Sequence, residues 1–203
     1  MRYIEAVHPH PHPLLLELEQ RSRKDGVPLM ARESGRLLSM VTHAMQASRI
    51  LEVGTGYGYA TLWMALAQPR MGKIWTIDPD VHRTSVAMSY FKRAEEDDFI
   101  EIINTPPLEL LENFPQRNMD IAFIDAPVDR YDTFLDLVLP MLKLSGIAIF
   151  NGTLLGGRVA DEDAEDAEAV AARAFNERFL EHPDLDATLL PVGDGMAIGA
   201  RKQ

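Results

Sequence analysis

Short apolar segments alternate with longer amphipathic segments through most of this chain. Five apolar segments are each predicted to form a β-strand: 48–53, 73–77, 100–103, 120–124 and 146–150. Helical patterns follow several of them, at 59–67, 81–94 and 131–142. Continuous apolar runs are typical of strands that are buried on both faces. Strands separated by helices of this length predict a parallel sheet with helices on both sides.

The last part of the chain departs from this alternation. Apolar residues recur at helical spacing from Val170 to Leu180, and two further strands are predicted at 187–192 and 196–200. The turn Gly193-Asp194-Gly195 joins these strands so tightly that they must be antiparallel. We therefore predict an α/β fold with a mostly parallel, seven-stranded sheet that ends in an antiparallel hairpin. This Rossmann-like plan is typical of methyltransferases that use S-adenosylmethionine (SAM), and not of dinucleotide dehydrogenases.

Two helical stretches, 14–22 and 33–47, precede the first strand. We interpret this segment, about 14–47, as a cap over the carboxyl edge of the sheet, within a single domain that spans 1–203. The preceding tract alternates His8, His10 and His12 with prolines. Alternating prolines favour an extended polyproline conformation and define no pocket, so we do not expect a metal site there.

Composition narrows the classes of protein that need to be considered. The chain has 203 residues and no cysteine, which excludes a disulfide scaffold, a thiolate metal site and a cysteine nucleophile. No apolar run reaches the ~20 residues needed to span a bilayer, and the amino terminus has no signal-peptide pattern. We therefore expect a cytoplasmic protein with no membrane partner.

The net charge of −11 disfavours nucleic acid as a partner, because an acidic surface repels the phosphate backbone. A local basic cluster does occur early in the chain. We interpret it as a solvated helix face and loop; its members are Arg21, Arg23, Lys24, Arg32 and Arg36.

A glycine-rich loop, Glu52-Val53-Gly54-Thr55-Gly56-Tyr57-Gly58, lies where the first strand turns into a helix. Glycines let the backbone turn sharply and approach a ligand, so the loop alone would suit NAD, another nucleotide or SAM. The dinucleotide fingerprint needs a third glycine where this chain has Tyr59. Glu52, an acid before the first glycine, favours SAM, whose amino acid head carries a cation.

Asp78 ends the second predicted strand, where a carboxylate can accept hydrogen bonds from both hydroxyls of a ribose. The alternative is that the Asp78-Pro79-Asp80 segment merely caps the next helix. Asp80 fits that cap better, which would leave Asp78 free for the ligand. The predicted SAM contacts are Glu52, Gly54, Thr55, Gly56, Tyr59 and Asp78, together with Asp125, which is discussed next.

From about Leu14 to Lys202 the chain resembles the catechol and caffeoyl-CoA O-methyltransferase-like family. The glycine loop is generic to methyltransferases, whereas several other matching segments are more specific to this family. These are Ile124-Asp-Ala, Asp129-Arg-Tyr, Gly156-Gly-Arg-Val-Ala-Asp, Phe175-Asn and Leu190-Pro-Val-Gly-Asp-Gly.

The resemblance implies a divalent metal held by two aspartates and an asparagine, and a lysine that deprotonates an acceptor hydroxyl. Asp125 matches the first aspartate, which in the family also lies near the SAM head. The family's Asp-Asn pair is matched to Phe150-Asn151, and its lysine to Val128. Ala60 replaces a serine near the SAM carboxylate, and Thr105-Pro106-Pro107 replaces a Gly-Asp-Ala segment near the adenine. Asp125 and Asn151 alone would hold Mg²⁺ poorly, so we predict no bound metal.

The predicted function is SAM-dependent methylation of a small phenolic or acidic acceptor, at oxygen and without the usual metal. Asp125 or a water would then suffice as the base. Arg130 and Arg158 are candidate anchors for an acidic acceptor, or else surface or ion-paired arginines. Asp161, Glu162 and Asp163 could supply a substitute carboxylate, but we interpret them as acids at a helix amino terminus.

Two alternatives remain at this point. One is a SAM-binding protein that has lost catalysis and acts by binding or assembly. Val128 and Phe150, in place of the family's lysine and aspartate, are the substitutions that a loss of catalysis would leave. The other, methylation of structured RNA, is disfavoured by the acidic charge. Relatives of this family commonly form two-fold dimers, so we also expect a homodimer.

Overall fold

A computed structural model describes residue 3 and residues 7–161 and 163–203 of the chain. Its strands, β1 to β7, are Arg49–Val53, Lys73–Ile77, Ile100–Ile103, Met119–Ile124, Leu142–Asn151, Leu185–Leu190 and Met196–Arg201. The α-helices of the described residues, α1 to α7, are Pro13–Asp25, Arg32–Met45, Tyr59–Ala65, Val81–Arg93, Pro107–Glu112, Tyr131–Val138 and Ala167–Leu180.

The strands form one sheet in the order β3-β2-β1-β4-β5-β7-β6. The pairs from β3 to β5 are parallel, and β7 is antiparallel to both of its neighbours. The predicted fold class is therefore confirmed, including the C-terminal hairpin. Strand order reverses between β1 and β4, and ligands of open α/β sheets bind at the carboxyl ends of the strands at such a point.

Successive residues of each strand point to opposite faces of the sheet, and each face is covered by its own helices. Helices α5, α6 and α7 cover one face, which we call the α7 face, where Leu51 and Phe150 are buried. Helices α1 to α4 cover the other, the α3 face, where Ile50 and Ile149 are buried. Both faces are apolar, which explains why the strands appear as continuous apolar runs.

Some element boundaries differ from those predicted. Helix α6 ends at Val138, not at 142, because Pro140 lies in a short 3₁₀ turn that directly precedes β5. Strand β5 consequently begins at Leu142, four residues earlier than predicted. The short helix α5 was not predicted; Pro107 stands at its first position, where a proline is tolerated.

The cap helices α1 and α2 pack against α3 on the α3 face, and the segment between them reaches over the carboxyl edge of the sheet. The His-Pro tract leads into this cap, since the His12 ring accepts a hydrogen bond from the Leu14 amide at 3.3 Å. No helix of the described residues is long and apolar enough to cross a membrane.

Candidate active site

The glycine loop begins where β1 and β4 come into very close contact. Gly54 has a φ of +96°, and a Cβ atom built there would lie 2.1 Å from the carbonyl oxygen of Asp125. Only glycine fits this crossing. A larger residue at position 54 would therefore first displace the β4 backbone, rather than fill space kept for a ligand. Gly56, two residues on, differs, because a Cβ there (φ +51°) would meet no atom within 4 Å.

Asp78 lies beside this loop at the end of β2. Its carboxylate accepts hydrogen bonds from the backbone N–H groups of Gly56 at 2.8 Å and Asp80 at 2.9 Å. Asp80 caps α4 as predicted, through a hydrogen bond from the amide of Arg83 at 3.0 Å. The expectation that Asp78 would be free is wrong, since it holds the loop in place. Each carboxylate oxygen still has a lone pair that a ribose hydroxyl could use.

Glu52 lies beneath the loop rather than in it. Its side chain is fully buried, and the Thr61 hydroxyl donates to its Oε2 at 2.5 Å. Among the described residues, Oε1 has no hydrogen-bond partner. Burial raises the pKa of Glu52 to about 8. Glu52 lines none of the cavities at this edge of the sheet, so it supports the first turn of α3 from below.

Thr55 and Tyr59 use their polar atoms within the protein. The hydroxyls of Thr55 and Thr76 are 2.6 Å apart, and the Tyr59 hydroxyl donates to Glu19 Oε1 at 2.7 Å. Arg32 donates to both oxygens of Glu19, at 2.9 Å and 2.6 Å. This network ties α3 to both cap helices. Nothing local in the sequence indicates that residues so far apart will meet, so the sequence gives no role to Glu19 and predicts a solvated position for Arg32.

Three cavities open at the carboxyl edge of the sheet, and Asp125 lines all of them. The loop cavity, about 50 Å³, lies between the glycine loop and the cap segment Pro28, Leu29 and Met30. The Pro106 cavity, about 460 Å³, is lined by Gly54, Asp78, Pro106 and Phe134, among others. The Asn151 cavity, about 670 Å³, extends from Asp125 under the cap segment to the C-terminal hairpin. The linker between the two cap helices lines two of these cavities, whereas the helices themselves pack on the α3 face.

Asp125 and Asn151 face each other at the ends of β4 and β5. The Asn151 side chain donates through Nδ2 to Asp125 Oδ1 at 3.1 Å. Burial raises the pKa of Asp125, against the opposing effect of this hydrogen bond. The Oδ1 atom of Asn151 has no partner among the described residues, although Asn151 is only 7% exposed. The site therefore combines a carboxylate that can take up a proton with an unused acceptor.

Phe150 does not face this site, which corrects the sequence match. Its side chain is fully buried on the α7 face, with ring centroids 4.8 Å from Phe175 and 5.1 Å from Tyr131. Because strand residues alternate between faces, the side chain that meets Asp125 is that of Asn151. The family's Asp-Asn pair therefore corresponds to Asn151-Gly152, and not to Phe150-Asn151.

The donors present do not fit a divalent metal of the family's kind. In the corrected match, an amide replaces the second carboxylate and Gly152 offers no side chain. Mg²⁺ is usually held by carboxylates in an octahedral set of oxygens, and one carboxylate with one amide is a weak set. Val128, which occupies the place of the lysine, is buried, lines the Asn151 cavity and cannot take a proton.

The two candidate arginine anchors lie outside the Asn151 cavity. Arg130 lines the Pro106 cavity, and its Nε is 3.4 Å from the carboxylate of Asp129. Arg158 pairs with Asp166 at 3.1 Å and also with Glu168, as its ion-paired interpretation predicted.

Asp161 and Asp163 do not stand at a helix amino terminus, contrary to the expectation from the sequence. Helix α7 begins at Ala167, and the Asp166 side chain caps it by accepting from the Ala169 amide at 3.0 Å. Asp161 and Asp163 lie in the preceding loop, and Glu162 lies outside the described residues.

Comparison with known proteins agrees with this geometry. The family model described as "O-methyltransferase" matches residues 5–202. A caffeoyl-CoA O-methyltransferase of Populus kitakamiensis is 31% identical, over 98% of this chain and 91% of that protein. A catechol O-methyltransferase of Mycobacterium tuberculosis is 30% identical, over 78% of this chain and 71% of that protein.

Solved structures give the same result. The O-methyltransferase TomG from Streptomyces achromogenes, involved in tomaymycin synthesis and solved in complex with SAM, matches with a TM-score of 0.88 at 25% identity. The match covers 99% of this chain and 95% of that one. In this chain there is open space above Gly56, and the Asp78 carboxylate lies beside the loop. The chain therefore belongs to the O-methyltransferase family and is a SAM-dependent enzyme of the catechol and caffeoyl-CoA type.

Proposed function

We propose that this enzyme methylates an oxygen of a small phenolic acceptor and that the transfer needs no divalent metal. The observation that carries the proposal is the Asp125–Asn151 pair, which lies where the family holds its metal. It lines a cavity large enough for one aromatic ring with substituents, and it lacks a second carboxylate.

The cofactor contacts follow from the cavities that meet at Asp125. We assign the amino acid head of SAM to the loop cavity, beside the backbone of Gly54, Thr55 and Gly56 and under Tyr59. The ribose would lie against Asp78, and the adenine against Pro106 in the Pro106 cavity. Glu52 would act from below, by holding the start of α3. When bound, SAM supplies a methyl group on a positively charged sulfur.

Asp125 would position the acceptor hydroxyl and take its proton as the oxygen–methyl bond forms and the sulfur–methyl bond breaks. Its raised pKa suits this task, because a buried carboxylate accepts a proton more readily than an exposed one. Positioning alone can lower the activation barrier of such a displacement by several kcal/mol. A phenol of lowered pKa would need little further assistance.

The test is methyl transfer from SAM to catechol, measured with and without EDTA and with added Mg²⁺. We expect equal rates in all three conditions, and a rate that falls as acid protonates Asp125, whose pKa burial raises above its usual range. A rate that collapses in EDTA and recovers with Mg²⁺ would overturn the metal-independent mechanism.

A second candidate is a SAM-binding protein that has lost catalysis, and the replacement of the lysine by Val128 favours it. Isothermal titration separates the two. Tight SAM binding that is indifferent to Mg²⁺, without turnover of any phenol, would support the second candidate.

We also propose a homodimer. Helix α7 leaves two apolar side chains in solvent, with Val170 at 49% and Leu180 at 44% exposure, and apolar surface of this kind favours association. Sedimentation showing a monomer at micromolar concentration would contradict this proposal.

A further inference from the structure

The Pro106 cavity is poor in side chains that could form hydrogen bonds with a ligand. Among the described residues that line it, the polar side chains are those of Asp78, Asp125 and Arg130. No serine, threonine, asparagine, glutamine, tyrosine or histidine of those residues contributes to its wall. The remaining wall is apolar and includes the buried side chains of Ile77 and Phe134. A ligand in this cavity therefore meets mainly hydrocarbon surface.

The three polar side chains all have partners within the protein. Asp78 accepts hydrogen bonds from two backbone N–H groups, and Asp125 accepts one from Asn151 Nδ2 at 3.1 Å. The Nε atom of Arg130 lies 3.4 Å from a carboxylate oxygen of Asp129. Arg130 is the only donor of these three. Its guanidinium would serve a ring nitrogen and a carbonyl oxygen of a ligand equally, since both are acceptors.

The backbone around this cavity is also short of free N–H groups. Four of the lining residues are prolines, which have no N–H to donate: Pro79, Pro106, Pro107 and Pro127. The amides of Gly54, Asp78 and Asp125, which also line the cavity, already donate to carbonyl oxygens of adjacent strands at 2.9 to 3.2 Å. Few N–H groups are therefore left for a ligand.

Hydrogen-bonding groups are what a site needs to tell one purine base from another. Adenine carries an amino group at C6, which donates, whereas hypoxanthine carries a carbonyl oxygen there, which accepts. A site built to hydrogen-bond one such group rejects the other by about 10⁴ to 10⁵, because its buried polar groups would be left unpaired. A wall of hydrocarbon surface has no such groups and discriminates only weakly.

We propose that this enzyme holds the base of its cofactor by shape and apolar contact rather than by hydrogen bonds, so that it also accepts cofactors with other 6-substituted purines. The proposal rests on the proposed function for the placement of the base against Pro106. Proline rings suit this role, because they are rigid and lose little conformational entropy when a flat ligand packs on them. At about 460 Å³, the cavity is as large as pockets that enclose drug-sized ligands, so it has room for a substituent on the base.

The experiment compares three demethylated cofactors that differ only at C6 of the base. They are S-adenosylhomocysteine, its N6-methyl derivative, and S-inosylhomocysteine, in which a carbonyl oxygen replaces the amino group. Titration calorimetry at one pH and one salt concentration measures their binding, and we expect dissociation constants within about threefold of one another. A preference of about tenfold or more for S-adenosylhomocysteine over S-inosylhomocysteine would overturn the proposal, because it would reveal hydrogen-bonded recognition of the base.

The key variant is Pro106→Asp, which adds a carboxylate where we place the base. Pro106 is the N-cap residue of α5, a position that favours aspartate, so the variant should fold. The carboxylate accepts from the amino group of adenine and repels the carbonyl oxygen of hypoxanthine. The variant should therefore bind S-adenosylhomocysteine several-fold more tightly than S-inosylhomocysteine.

The matched control is Pro106→Ala, which loses the same ring without gaining a carboxylate and should keep the wild-type ratio of affinities. Equal ratios in the two variants would overturn the proposal, because the base would then not lie against position 106.

These measurements need no turnover, so they are independent of the methyl acceptor and of any metal. A protein that binds the three compounds equally, gains a preference with Pro106→Asp and yet methylates no phenol would refute the proposed function and leave this inference in place. Methyl transfer to catechol by a protein that strongly rejects S-inosylhomocysteine would do the reverse.

Discussion

The two sides of the cleft are built in different ways. On the side of β1 and β2, the site consists of backbone: glycines with positive φ, a close crossing of strands, and amide groups held by Asp78. On the side of β4 and β5, it consists of side chains: Asp125, Asn151 and Val128 around a large cavity. The first side, the cofactor side, keeps the family's glycine loop although Ala60 replaces a serine there, whereas the second, the acceptor side, has lost the lysine and two of the metal ligands.

The difference shows which property of a site tolerates sequence change. Contacts made by the backbone survive many substitutions, provided that the glycines remain, so cofactor binding can be retained while the chain diverges. Contacts made by side chains depend on single residues. Substitution of only three such residues can therefore change the chemistry of the acceptor side.

The largest effect is expected from the loop glycines. Gly54→Ala places a Cβ 2.1 Å from the Asp125 carbonyl oxygen, so it should destabilise the fold itself and abolish SAM binding. Gly56→Ala enters open space, should cost only about 1 kcal/mol of folding free energy, and should still weaken SAM binding at least about tenfold. Thermal unfolding and calorimetry separate the two effects. A Gly56→Ala protein that binds SAM as tightly as the wild type would show that the loop does not hold the cofactor.

The next effect concerns the acceptor side alone. Asp125→Asn removes the proposed base and keeps an oxygen near Asn151, so kcat should fall by about 10² to 10³, within the range for a general base. The affinity for SAM should change far less than kcat. Single-turnover rates over a range of pH provide the measurement, and a variant with an unchanged rate would exclude Asp125 as the base.

Restoring the family's residues on the acceptor side should make methyl transfer depend on Mg²⁺. The triple variant Val128→Lys, Asn151→Asp and Gly152→Asn should acquire a Mg²⁺-dependent rate, on the order of tenfold above its rate in EDTA. Gly152 can accept the side chain, because a Cβ there meets no atom within 4 Å and asparagine tolerates its φ of +74°. Phe150→Asp is the control: it should bind no Mg²⁺ and should lower the melting temperature, since it buries a carboxylate among aromatic rings.

A smaller effect is expected from Glu52, which lies beneath the glycine loop on the cofactor side. The pKa of Glu52 is raised from 4.5 to about 8, so the folded state favours the protonated carboxyl. The protonated carboxyl contributes fully to the free energy of unfolding below the pKa that Glu52 has in the unfolded chain. This contribution is lost as the pH rises through about 8. The Glu52→Gln variant should therefore have the same melting temperature as the wild type at about pH 5. At about pH 9 it should melt several degrees above the wild type. A difference in melting temperature that is constant with pH would contradict the raised pKa.

The smallest effect is expected where the cap meets the loop. Tyr59→Phe removes one hydrogen bond to Glu19, which Arg32 continues to hold, so it should cost about 1 kcal/mol and weaken SAM binding a few-fold. The control is Tyr57→Phe, whose lost hydroxyl contacts Asp25 at the end of α1 rather than the buried pair. Equal effects of the two variants on SAM affinity would argue against a coupling of Glu19 to the cofactor site.

The sequence by itself determined the fold class and the outline of the cofactor side. Hydrophobic periodicity is a local property that specifies which segments are strands, and the hairpin turn fixes the direction of the last two. The glycine loop, Asp78 and Asp125 come directly after β1, β2 and β4 in the chain, and the carboxyl ends of parallel strands lie at one edge of a sheet. Their proximity could therefore be predicted without coordinates.

The tertiary structure alone decided which side chains face the acceptor. Because strand side chains alternate, an offset of one residue moves a side chain to the other face of the sheet, and for this reason Phe150 is in the core and Asn151 is in the site. Burial of Glu52 and the ion pairs of Arg158 depend on packing between distant segments. No local pattern encodes such contacts, since the residues that make them are brought together only when the helices close over the sheet.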